Sequence, residues 1–62
     1  CALKAARKRA GLTQEELSED SGVSLSALRA YERRGKDLSR AQAETVLRLA
    51  NALKCEISDI LD

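Results

Sequence analysis

Between Thr13 and Ser24 the sequence writes the start of one helix, its stop, and the start of the next. Thr13-Gln14-Glu15-Glu16 is a capping box, in which the threonine oxygen accepts a backbone N–H three residues on and the Glu16 carboxylate reaches back. Gly22 supplies the left-handed turn that a β-carbon resists, and Ser24 is a good N-cap for a further helix. The helix between them, from about Gln14 to Ser21, has only about two turns, too few to persist without tertiary support. A second helix leaving directly from Ser24 crosses the first at about 90–120°. Such a crossing needs a small residue on the first helix, met by Ser18, and an apolar anchor in the turn, met by Val23. Leu17, Leu28 and Tyr31 fall on the faces that must meet.

The remaining elements are set by periodicity and punctuation. Ala2 to Ala10 reads as a first helix with Leu3, Ala6 and Ala10 on its apolar face and Gly11 as its stop. The third helix spans about Leu25 to Arg34, ended by Gly35. Its Leu28 and Tyr31 face inward, while Leu25, Ser26, Arg29, Ala30 and Arg33 share the outer face. Ser39-Arg40-Ala41-Gln42 predicts another capping box, opening a fourth helix with the stripe Ala43, Val46, Leu47, Ala50 and Leu53. A short fifth helix, about Glu56 to Leu61, contributes Ile57, Ile60 and Leu61. Tyr31 is the sole aromatic residue and there is no proline, so Leu, Ile, Val and Ala must form the core, which favours packed helices. The expectation is an all-α domain of five helices spanning residues 1–62. A chain of this size buries only about 60% of its unfolded surface and cannot support two cores.

The formal net charge of +1 conceals strong segregation. Residues 1–12 carry Lys4, Arg7, Lys8 and Arg9 without an acid, and residues 13–23 carry Glu15, Glu16, Glu19 and Asp20 without a base. Residues 24–40 are basic again, and 41–62 are mildly acidic. A fold bringing the first and third segments together gains a basic face and an acidic back. With no histidine and only Cys1 and Cys55, the zinc spacings are missing, so neither metal nor cofactor is expected. No glycine-rich phosphate loop and no nucleophile beside a base can be read, which argues against an enzyme. The sequence contains no apolar run long enough for a membrane span and no secretory leader, and a cytoplasmic chain is expected.

Gly11-Leu12-Thr13-Gln14-Glu15-Glu16-Leu17, Ser21-Gly22-Val23-Ser24 and Tyr31-Glu32-Arg33 together resemble the lambda-repressor-like Cro/repressor family of helix-turn-helix proteins. Residues 36–61 are similar to a bacterial branch of it. The resemblance covers nearly the whole chain, with the helix-turn-helix unit at about 14–34, and implies a transcriptional regulator, a repressor, on double-stranded DNA. It places Thr13 and Gln14 against phosphates and the first turns of the third helix in the major groove. Carried over by motif, base contact falls on Leu25, Ser26, Arg29 and Ala30, which periodicity also leaves on the outer face. Arg29 is the best base reader, because a guanidinium can bond guanine O6 and N7 together. Ser24, Arg33, Arg34, Lys36, Ser39 and Arg40 are the remaining candidates for phosphate contact, helped by the N-terminus of the fourth helix.

Arg7 and Glu32 match positions where the family often carries a structural ion pair joining the first and third helices. Lys54 and Glu56 depart from it, standing where relatives often have glycine or asparagine and a serine or threonine cap. The C-terminal helix is where many relatives pair as homodimers. Cys55 falls where the family tolerates a small buried apolar residue. Cys1 has no such role, and its place at the start, instead of methionine, points to an excised or engineered chain. Two readings of the cysteines remain open: free thiols, or a Cys1–Cys55 disulfide contributing about 4 kcal/mol by closing a long loop. The rival functional reading is an engineered or antitoxin-like scaffold whose partner is a protein, with the Arg29 face binding protein or nothing.

Overall fold

The computed structural model describes residues 2–33 and 38–61. The fold is all-α, and the described residues form four α-helices and two 3-10 turns: α1 (Ala2–Arg9), α2 (Gln14–Ser21), α3 (Leu25–Glu32), a turn at Leu38–Arg40, α4 (Ala43–Leu53) and a turn at Ile57–Asp59. None of these helices is long and apolar enough to cross a membrane.

The two-helix unit forms as its punctuation dictates. Thr13 Oγ1 accepts from the Glu16 N–H at 3.0 Å, and Glu16 Oε1 accepts from the Thr13 N–H at 2.8 Å. Gly22 closes α2 in the left-handed region at φ 77°, its N–H donating to the Ser18 carbonyl at 3.0 Å. Ser18 does more than stay small: its hydroxyl donates to the Val23 carbonyl at 2.6 Å. Ser21 Oγ donates to the Leu17 carbonyl and accepts from the Val23 N–H. The turn therefore has its polar groups satisfied while Val23 is buried beneath it.

Leu3, Leu17, Leu28, Leu49 and Ile60 are the most completely buried large side chains, drawn from every α-helix and the C-terminal segment. α2 packs on α3 and α4, while the last turn rests on α1 and α4. Each short helix is thus stabilised by its neighbours.

Several expectations need correction. The first helix ends at Arg9, and Ala10 is exposed in the turn instead of on the apolar face. Ser39 is not at the N-cap position of the fourth helix: its backbone lies inside a 3-10 turn that begins at the buried Leu38 and is closed by the Ala41 N–H on the Leu38 carbonyl. The extended residue before α4 is Gln42, which makes no side-chain cap. The buried stripe of α4 is Val46, Leu49, Ala50 and Leu53, an i, i+3, i+4, i+7 set that meets the neighbouring helices, whereas Ala43 and Leu47 face solvent.

The fifth helix is reduced to a 3-10 turn, in which Asp59 Oδ2 accepts from the Glu56 N–H at 2.9 Å. Ile60 is buried and Leu61 half-buried, whereas Ile57 is exposed. The third helix stops at Glu32 with Arg33 as its C-cap; Gly35, expected to end it, lies outside the described residues, as do Arg34 and Lys36. Cys55 is a free, half-buried thiol, and Cys1 also lies outside the described residues.

Candidate nucleic-acid interface

Ser24 launches α3, its Oγ accepting from the Ala27 N–H at 3.2 Å. With Leu28 fully buried, α3 has a fixed rotation about its axis. Ser26 and Arg29 are exposed as a result, Leu25 and Ala30 half-buried between them and the core, and Tyr31 half-buried. Of the four candidate base-contacting residues, two therefore stand out from the surface and two form an apolar border around them.

The far end of α3 is held by Glu32. Arg7 Nε donates to Glu32 Oε2 at 2.7 Å and Arg7 Nη2 to Glu32 Oε1 at 3.1 Å. The remaining guanidinium nitrogen, Nη1, donates to the Leu12 carbonyl at 2.8 Å, so one side chain joins α1, the loop before α2 and α3. The Glu32 hydrogen bond is the main reason the Arg7 pKa lies above the ordinary arginine value, burial opposing it and the negative charges of Glu32 and Glu15 adding to it. Glu32 Oε1 also accepts from Gln14 Nε2 at 3.2 Å.

A shallow groove opens beside this network, lined by Lys4, Gln14, Arg29, Glu32 and Arg33. Glu32 is committed to Arg7, and the other charged side chains lining the groove are the cations Lys4, Arg29 and Arg33. Gln14 brings the start of α2 to the same place, where the first backbone N–H groups have no acceptor within the helix. Thr13 is exposed, and its hydroxyl oxygen serves the cap while its proton can still be donated.

Arg40 is exposed in the turn after α3. Arg34, Lys36 and the Ser39 side chain lie outside the described part of the structure.

Sequence reasoning missed two residues. Lys4 belongs to a plainly basic segment, but its approach to α3 depends on the packing of α1. Glu15 stands beside Arg29, its Oε2 at 3.6 Å from Arg29 Nη2. The acidic segment is therefore not confined to the back of the molecule, because the crossing of α2 and α3 carries one of its carboxylates to the exposed side of α3. Among the described residues, no group of three or more histidine, cysteine or carboxylate side chains is placed to hold a metal ion.

The helix-turn-helix family model matches residues 3–60, almost the whole chain. The chain belongs to the Cro/repressor-type helix-turn-helix family. No curated protein and no solved structure matches it. It is a DNA-binding helix-turn-helix domain.

Proposed function

We propose that residues 1–62 form one sequence-selective DNA-binding domain of a transcriptional repressor, with its helix-turn-helix unit at about 14–34. It acts by occupying double-stranded DNA in the cytoplasm and performs no catalysis. The observation that carries this reading is the exposure of Ser26 and Arg29 on a helix whose buried face and both ends are fixed. A pre-set recognition helix loses little freedom on docking.

In this reading Arg29 bonds a guanine edge and Ser26 a neighbouring base, while Leu25 and Ala30 touch thymine methyl groups. Thr13, Gln14, Ser24, Arg33 and Arg40, with Arg34, Lys36 and Ser39, hold the flanking phosphates. The groove between α1, α2 and α3 takes the duplex backbone as α3 enters the major groove. The domain pairs as a homodimer on DNA through its C-terminal face, where Leu47 and Ile57 are the exposed large apolar side chains. Two recognition helices then read half-sites about one helical turn apart.

Titration by fluorescence polarisation against a randomised duplex pool, at two salt concentrations and with selection of the bound fraction, tests the proposal. Phosphate contacts impose a steep salt slope, and base contacts impose selection. Absence of salt-dependent binding overturns it. Arg29→Ala is expected to relax preference at one base position, whereas Lys36→Ala weakens all sequences alike and flattens the salt slope.

A further inference from the structure

Arg29 is not an unopposed cation. Its guanidinium lies 3.6 Å from the Glu15 carboxylate, and both side chains are more than half exposed. Arg29 also borders the groove shared by Lys4, Gln14 and Arg33. Glu32, three positions along the same helix, is occupied by Arg7 and Gln14, leaving Glu15 as the carboxylate paired with Arg29.

We propose that Glu15 is a specificity-determining residue, a carboxylate that holds the Arg29 guanidinium and masks its charge on any duplex offering Arg29 no base partner. This rests on the DNA-reading role of Arg29 given above. A guanidinium has five donors in a rigid plane. A carboxylate 3.6 Å from Nη2 makes an ion pair and uses up none of these donors, so Glu15 can steady the side chain from behind while it reads a base. On an unmatched duplex the pair has no net charge and releases no counter-ion on Arg29's account, while the Glu15 carboxylate is repelled by the nearby phosphates. The repulsion acts on both duplexes, whereas the masking acts only where Arg29 would otherwise pair with a phosphate, so the carboxylate penalises unmatched DNA more than matched DNA, on which the base engages the guanidinium. The pair's exposure suits this role, because the guanidinium can exchange its partner without leaving a buried charge behind.

The test uses the full chain and its Glu15→Gln, Arg29→Ala and doubly substituted variants. Each is titrated across a salt series with two duplexes, one selected by the wild type from the randomised pool and one unrelated. Glu15→Gln is expected to bind the unrelated duplex more tightly, with a salt slope steeper by about one, and to lower the ratio of selected to unrelated affinity several-fold. In the Arg29→Ala background, the same substitution should strengthen both duplexes alike and leave the ratio unchanged.

Equal strengthening of both duplexes by Glu15→Gln in the wild-type background, or an unchanged slope there, overturns the inference while leaving Arg29 as a base reader. If Arg29→Ala itself leaves base preference intact, the reading of Arg29 fails and the role of Glu15 fails with it. Thermal melts of each variant separate these outcomes from a loss of folding.

Discussion

Arg7 and Glu32 are joined by two hydrogen bonds, at 2.7 Å and 3.1 Å, that fasten the last residue of α3 to α1. Both side chains are largely buried, with 11% and 4% of their surface exposed, so neither charge has water to fall back on. Glu32→Gln should therefore cost about 3 kcal/mol, the scale for leaving one buried partner unpaired, against a total stability on the order of 5–15 kcal/mol. Urea denaturation measures this directly. Replacing both residues together, Arg7→Met with Glu32→Leu, should recover part of the loss, because no charge is left stranded although the Leu12 carbonyl and the Gln14 amide lose their partners. A double variant as unstable as the single one would show that the pair supplies more than mutual neutralisation.

Lys54 occupies the left-handed region at φ 55° and ψ 46°, the position that closes α4. Its β-carbon makes that conformation unfavourable by about 1–2 kcal/mol, and glycine avoids the penalty at a smaller cost in unfolded-chain entropy. Lys54→Gly is expected to stabilise the domain by about 1 kcal/mol, raising Tm by about 4–8 °C. A thermal melt followed by circular dichroism checks it, and a lower Tm would refute the account.

Gly22 is the complementary case, the same conformation already met by glycine. A β-carbon added there has Arg48 Nη1 as its nearest neighbour, at an ordinary 3.7 Å, so space is not the obstacle. Gly22→Ala should lose about 1–2 kcal/mol through backbone strain alone. Adding Arg48→Ala should not restore it, which denaturation of the two variants can establish.

The Cys55 thiol has its pKa pushed upward, first by burial and then by the negative charges of Asp59 and Glu56, with Arg9 opposing. The folded chain therefore keeps this proton to higher pH than the unfolded chain does. Stability falls as pH rises through the ordinary thiol value near 9, because the unfolded state then releases its proton first. In a Cys1→Ser background, alkylation of Cys55 at neutral pH should be slower than that of an unfolded reference peptide. Cys55→Ala should remove part of the alkaline loss of stability. Equal alkylation rates would count against the burial argument.

Leu47 and Ile57 bear on the proposed dimer. Leu47→Glu combined with Ile57→Lys should leave the monomer folded, since both side chains are exposed. Affinity for a duplex with two half-sites should fall about tenfold, some 1.4 kcal/mol, with affinity for one half-site unchanged. Sedimentation of the bound complexes reads the stoichiometry, and an unchanged two-copy complex would exclude this face as the contact.

The boundaries of α2 and the start of α3 were legible because local chemistry specifies them: Thr13 and Glu16 exchange hydrogen bonds, Gly22 takes the left-handed turn, and Ser24 caps the next helix. Farther on, the same reasoning failed. Ser39 resembles Thr13 in being a hydroxyl residue ahead of a helical stretch, yet its segment forms a 3-10 turn beside the buried Leu38 and α4 starts later; the way α4 is turned against its neighbours then buries Leu49 instead of Leu47. At the candidate interface, the outer face of α3 could be read from periodicity, whereas the approach of Lys4 and Glu15 could not.

The sequence by itself determined the short α2, its sharp turn and the solvent-facing side of α3, because helix caps, glycine conformation and side-chain period act over a few residues. Only the tertiary structure decided what stands around Arg29. Packing of α2 across α3 brings Glu15 to 3.6 Å from it, and α1, fastened by Arg7 to Glu32, adds Lys4 to the same groove. Those neighbours come from separate helices, and their approach is set by burial of Leu3, Leu17 and Leu28 against one another's helices rather than by any local signal.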